Sequence, residues 1–260
     1  MKNLRKYGKE PFQVAVLHGG PGSPGEMAPV AREFSRDTGV LEPLQTKSTI
    51  EGQVEELKGV LEKNSNLPLT LIGFSWGAWL GFIFTAHYHQ FIDKLILIGS
   101  GPFEEKHAAD IMETRLGRLG ENEKNEALFL LSKLNSNTAD DKILARFGEL
   151  MSRADSYDPL PHDAPSFVSA DVYRSVWREA NNLRQSGELL QLGRKIRCPV
   201  VAIHGDYDPH PAEGVREPLS RVIKDFRFIL LEKCGHRPWL ERNAKDSFYL
   251  VLRNEISIRS

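Results

Sequence analysis

Apolar residues gather along the chain in short unbroken runs at Gln13–Leu17, Leu69–Phe74, Lys94–Ile98, Pro199–His204 and Phe226–Leu231, with a weaker run at Val40–Gln45. Unbroken rather than alternating apolar character is expected of strands buried on both faces of a parallel sheet. Between the first runs, Ile50, Val54, Leu57 and Leu61 recur at helical spacing, and Ser48 followed by Glu51 has the spacing of a capping box. Strand and helix therefore alternate. This predicts an α/β fold with a mostly parallel central sheet flanked by helices, whose ligands bind beyond the carboxyl ends of the strands.

The alternation stops after the strand ending near Gly99. From Phe103 to about Leu192 the pattern is helical only, with amphipathic stretches at Ala127–Leu134, Ile143–Met151 and Val172–Leu192. The expected organisation is a core of residues 1–101 and 193–260, with a helical cap at 102–192 inserted into it. Asp158-Pro159-Leu160-Pro161 reads as a hinge of that cap, which would sit over the carboxyl edge of the sheet as a lid. The segment Leu67–Ala86 is apolar enough to pass for a membrane span. Pro68, Gly73, Gly77 and Gly81 break it, and it reads instead as a buried strand, a tight turn and a buried helix.

Charge and composition narrow the function classes. With 260 residues, 40% hydrophobic and 27% charged, the chain matches ordinary globular proteins. A net charge of −1 without a Lys/Arg block gives no field to attract nucleic acid or an anionic membrane, so neither is an expected partner. The N-terminal MKNLRKYGKEPFQ lacks the apolar core of a secretory signal, so a cytoplasmic location is expected. Two cysteines, Cys198 and Cys234, fit a reducing compartment. They fall at opposite ends of the sheet, about 20 Å apart and beyond disulfide reach. His87 and His89 point to different sides of a helix end, and nothing in the pattern calls for a metal or a cofactor.

The chemistry lies at the strand ends. Gly73-Phe74-Ser75-Trp76-Gly77 follows one strand and opens an apolar helix, the setting of a serine presented on a strained strand-to-helix turn. His18-Gly19-Gly20-Pro21-Gly22 ends the first long strand and emerges at the same sheet edge. Asp206 and Asp208 lie in the turn after the strand Val200–Ile203, and Gly235-His236 lies just past Phe226–Leu231, giving the chain order Ser, Asp, His.

HGGPG followed by a G-x-S-W-G elbow resembles the proline iminopeptidase branch of the α/β-hydrolase superfamily, over residues 12 to 101 and 196 to 255. The resemblance implies a triad of Ser75, Asp208 and His236, with Asp206 as the competing acid. It implies oxyanion donors at the backbone N–H of Gly20, or of its neighbour Gly19, and of Trp76. Two features depart from that branch. HGGPG arrives within twenty residues, so the antiparallel strands usual before it are missing or reduced. The cap carboxylates Glu104, Glu105, Glu149, Glu179 and Glu188 offer no assignable holder for a substrate's α-amino group.

Tyr173, Trp177 and Arg184 share one helical stripe in the cap and are candidate substrate contacts, with packing as the plainer reading. The expected activity is acyl-enzyme hydrolysis of a small-molecule or short-peptide substrate at an ester, amide or N-terminal peptide bond. The same fold also hosts C–C hydrolases, lyases, acyltransferases and non-catalytic binders.

Overall fold

The computed structural model describes residues 3–136, 140–161 and 168–257; the outermost residues of the expected core, 1–2 and 258–260, lie outside them. A single sheet holds β1 (Leu4–Tyr7), β2 (Phe12–Leu17), β3 (Gly39–Pro43), β4 (Leu69–Phe74), β5 (Ile92–Ile98), β6 (Val200–Gly205) and β7 (Phe226–Leu231). Their order is β1-β3-β2-β4-β5-β6-β7. β1 runs antiparallel to β3 and every other pair is parallel, so among the described residues one short antiparallel strand precedes the parallel set.

Alternation along each strand feeds two cores. Leu69 and Leu71 of β4 join Leu95 and Leu97 of β5 under α2 (Ile50–Asn64), α3 (Trp76–His87) and α9 (Glu213–Val222). Ile72 and Phe74 join Ile96, Ile98 and Ile203 under α1 (Ala28–Phe34) and α10 (Lys245–Ser257). Each such side chain, once fully buried, is worth about 1.5–3 kcal/mol, which makes these two layers the main support of the sheet edge that carries the site. β7 departs from the both-faces-buried reading. It is an edge strand, and Leu230 on it remains exposed.

The stripe on α2 is buried as its spacing predicts, but its N-cap is Thr49, not Ser48: Thr49 Oγ1 accepts from Gly52 N–H at 3.0 Å. Between β5 and β6 the described residues add no strand to the sheet and form the helices α4 (Ile111–Gly117), α5 (Glu121–Asn135), α6 (Asp141–Ala154), α7 (Ala170–Gln185) and α8 (Glu188–Leu192), with one isolated bridge from Pro159 to Glu241. The continuous helix expected over Val172–Leu192 is broken where Gly187 takes a left-handed φ of +78°.

These helices divide into two parts. Ala127, Leu130, Leu144, Phe147 and Leu150 give α5 and α6 a small core of their own. α7 spans both: Ala170 at its start lies in that small core and donates N–H to Asp141 Oδ1 at 2.8 Å, while Val176 and Ala180 pack into the large core over α2 and α3, and Glu179 Oε2 accepts from Ile50 N–H at the start of α2, 2.8 Å.

The expected hinge is anchored. Leu160 N–H donates to Leu240 O at 2.7 Å, Arg242 N–H donates to Asp158 O at 3.0 Å, and Tyr157 and Asp158 N–H donate to the buried Glu241 carboxylate at 2.9 and 2.8 Å. A segment whose amides are spent on fixed, buried acceptors does not serve as a free pivot. Among the described residues no helix is long and apolar enough to cross a membrane. Cys198 and Cys234 are buried free thiols.

Candidate active site

Ser75 stands between β4 and α3 with φ +53° and ψ −115°, a backbone region that non-glycine residues rarely adopt. The turn is tight enough to dictate its flanking glycines. A Cβ on Gly73 would lie 2.1 Å from Gly77 O, and a Cβ on Gly77 would lie 2.5 Å from Leu17 O. Trp76 opens α3, so no preceding helical turn offers an acceptor for its N–H. Among the described residues, neither that N–H nor the N–H of Gly20 has a hydrogen-bond acceptor, and Ser75 Oγ has no partner. The Trp76 ring points away into the core, where Nε1–H donates to Gln53 Oε1 at 3.0 Å.

Asp208, not Asp206, meets the histidine. His236 Nδ1–H donates to Asp208 Oδ2 at 2.7 Å, while Asp206 Oδ1 accepts from Cys234 N–H at 3.0 Å and braces the loop before His236. Burial opposes charge on Asp208, but the facing imidazoles of His236, His210 and His204 hold its carboxyl well below the usual carboxylate range. Burial likewise disfavours charge on His236. The Asp208 carboxylate outweighs it and raises that ring above the ordinary histidine value. The His236 ring packs against Phe74, centroids 4.8 Å apart, and its backbone N–H donates to Asp155 O at 2.8 Å.

Several residues of this site carry no sequence motif. His210 Nδ1–H and backbone N–H both donate to Asp208 Oδ1, at 2.7 and 3.0 Å. Arg115 grips Asp155 with two hydrogen bonds of 2.7 Å, and Arg118 donates to the carbonyls of Ala154 and Tyr207, at 3.0 and 2.9 Å. Glu241 Oε1 accepts from Gly235 N–H at 3.1 Å. These contacts join α4 and the end of α6 to the loops of Asp208 and His236. Ligand atoms of Asp208, His210 and His236 lie within 4.8 Å of one another, close enough to suggest a metal site. Both Nδ1–H groups are, however, already spent on the carboxylate.

Tyr173 and Trp177 form an offset parallel ladder with Trp79, one turn beyond Ser75 on α3, with centroid spacings of 6.3 and 6.1 Å. Arg184 lies over Trp79, 5.7 Å from its centroid, but its donors are committed to Glu105 and Asn181. A cavity of about 290 Å³ lined by Gln13, Thr38, Asn66, Thr70 and Asp93 lies at the opposite edge, where the strands begin.

Two buried histidines predict acid sensitivity. Burial depresses both His18 and His210 to about 4, against about 6.5 in an unfolded chain. Between these values the unfolded chain binds two more protons than the folded one. Stability is then expected to fall as pH falls, by up to about 2.7 kcal/mol per pH unit. The raised His236 acts in the opposite sense, its contribution being lost only as pH rises through its folded value. Urea midpoints at pH 7, 5.5 and 4.5 test this; a flat series would contradict the neutral burial of both rings.

The profile of the alpha/beta hydrolase fold matches residues 14–242. Bovine monoacylglycerol lipase ABHD6 is 24% identical over 210 residues, which cover 78% of this chain and 60% of that protein, so the chain spans less than two thirds of that relative's length. The crystal structure of VinJ superposes with a TM-score of 0.73 at 18% identity, covering 99% of this chain and 95% of that one. The monoacylglycerol lipase of Paleococcus ferrophilus superposes at 0.62 and 16% identity, with full coverage of both chains. The matched residues run from β2 to just past His236, and the chain belongs to the alpha/beta hydrolase fold family.

Proposed function

We propose that the protein is a serine hydrolase acting through an acyl-enzyme on a small neutral ester or amide. The observation that carries this reading is Ser75, held at φ +53° at the carboxyl end of β4, the sheet edge that also bears the 2.7 Å Asp208–His236 pair. In the proposed cycle Ser75 Oγ attacks the substrate carbonyl carbon and His236 Nε2 takes its proton. The N–H groups of Gly20 and Trp76 stabilise the oxyanion, and Asp208 stabilises the imidazolium. Collapse expels the leaving group with the proton from His236. Water, deprotonated by the same ring, then releases the acid. Residues 102–192 act as the cap, and Tyr173 and Trp177 offer an apolar wall toward the acyl group.

Of the five cap glutamates Glu104, Glu105, Glu149, Glu179 and Glu188, four are committed to partners of their own, which favours a neutral substrate over a peptide with a free α-amino group. Glu104 pairs with Arg221, Glu105 with Arg184 and Glu149 with Arg146, while Glu179 caps α2. A carboxylate already neutralised in this way is a poor anchor for an ammonium. The names of the two monoacylglycerol lipases agree with an acyl-ester substrate.

The test is fluorophosphonate labelling with the modified peptide mapped by mass spectrometry, followed by short- and medium-chain p-nitrophenyl esters and a prolyl arylamide. A Ser75 adduct with ester turnover is expected. Preferential prolyl-arylamide turnover would restore the iminopeptidase assignment, and absence of an adduct on the folded protein would overturn the serine chemistry itself.

A further inference from the structure

We propose that His210 is a positioning residue for the acid–base pair, a role resting on the serine-hydrolase reading above: its two donors on Oδ1 fix the Asp208 carboxylate so that Oδ2 is left for His236 and share the negative charge that His236 would otherwise receive whole.

The geometry is specific. Oδ1 of Asp208 accepts from His210 N–H at 3.0 Å and from His210 Nδ1–H at 2.7 Å, and Oδ2 accepts from His236 Nδ1–H at 2.7 Å. One carboxylate thus serves two imidazoles, one on each oxygen. His210 is itself held from behind. Its carbonyl can only accept, so His204 on β6 donates Nε2–H to it at 2.7 Å. That bond ties the His210 backbone to the sheet. The two rings also lie close, centroids 4.7 Å apart and tilted by 35°, so a charge on His210 would oppose the imidazolium formed on His236. Burial keeps His210 neutral at working pH, where it contributes hydrogen bonds without a competing charge.

Hydrogen bonds to a carboxylate stabilise its negative charge locally and leave less of it to raise the basicity of a second partner. Removing the side-chain donor should therefore loosen the carboxylate and make His236 more basic. The other charged or titratable groups around the pair are His204 on β6, Arg115 on α4, Asp155 after α6, Asp206 in the same turn, the buried Cys234 thiol before His236 and Glu241 beyond the His236 loop. None of these donates to Oδ1 of Asp208, so none replaces His210.

The experiment compares full-length wild type, His210→Leu and His210→Asn by the pH dependence of p-nitrophenyl ester hydrolysis, with folding checked by circular dichroism. His210→Leu is expected to lower kcat about ten-fold and to move the ascending limb of kcat/KM upward by about half a pH unit. His210→Asn, whose amide nitrogen falls near the place of Nδ1, is expected to restore most of the rate and return the limb toward wild type. A merely structural residue would lower the amplitude without moving the limb.

A ¹⁵N spectrum of the wild-type histidines is expected to place the proton of neutral His210 on Nδ1, and this stands even if His210→Leu fails to fold. A proton on Nε2, an unmoved limb in folded His210→Leu, or His210→Asn as impaired as His210→Leu would each overturn the proposal. The serine-hydrolase reading fails separately, if wild-type Ser75 takes no fluorophosphonate.

Discussion

Replacing Ser75 by alanine is expected to lower ester turnover about a million-fold while leaving the protein folded, because the other proposed catalytic groups act only through this oxygen. Steady-state hydrolysis of a p-nitrophenyl ester by purified protein measures it, and residual turnover within a hundred-fold of wild type would remove Ser75 from the role of nucleophile. The same position makes a second statement about stability. The backbone of Ser75, at φ +53° and ψ −115°, is strained for any residue with a Cβ. Ser75→Gly is therefore expected to be as inactive as Ser75→Ala but about 1 kcal/mol more stable in urea. Alanine and glycine variants of equal stability would mean that the elbow stores no strain.

Asp208→Asn is expected to reduce kcat about ten-thousand-fold with little effect on the fold. The surroundings of Asp208 determine which way the amide turns. On the Oδ1 side sits the backbone N–H of His210, which is always a donor and cannot change tautomer. The amide oxygen must therefore face His210, and the amide NH₂ must face His236 Nδ1. That nitrogen is then forced to accept, which moves the His236 proton to Nε2, the atom required as base. Measured kcat within ten-fold of wild type would show that the carboxylate is not needed to set the tautomer.

The sequence was legible where a residue's environment follows from its own neighbours. Leu69–Phe74 reads as a strand because its residues are buried on both faces, and Phe226–Leu231 reads as one from apolar content alone, although it lies at an edge. β1, four residues of LRKY with two of them exposed, carries no apolar run. α4 is only seven residues long and has no fully buried residue, so Met112 and Leu116, which rest against the α5–α6 core, are too short a stripe to announce it. Ser48 and Thr49 are both good caps, and only the backbone geometry, extended at Thr49, separates them.

The candidate site divides in the same way. Ser75, Asp208 and His236 stand at strand ends in an order the motifs preserve, and the structure brings Asp208 and His236 together. His210, Asp155 and Glu241 could not be found this way. The first works through a loop contact two residues back, with no periodicity to announce it, and the others join the end of α6 to the His236 loop, segments some 80 residues apart in the chain. The run of Asp-Pro-His-Pro at 208–211 is the one local signal that could have drawn attention to His210.

The buried Glu241 carboxylate has a consequence for how such a protein can be recombined. It holds Tyr157, Asp158 and Gly235 on one pair of oxygens, while Asp155 O takes the amide of His236. Helices α4 to α6 and the His236 loop are therefore one inheritable module: a chimaera that imported the helices from a relative without residues 234–242 would strand a buried charge and unseat the histidine. Helix α7 clasps this module to the rest of the chain. Its leading Ser169 N–H donates to Gly22 O of the HGGPG loop at 2.8 Å, and its Glu179 caps α2. The start of α7 is at the same time fastened to the module, because Ala170 lies in the α5–α6 core and its N–H donates to Asp141 Oδ1 at 2.8 Å. An exchange that keeps these contacts must therefore carry α4 to α7 together with residues 234–242.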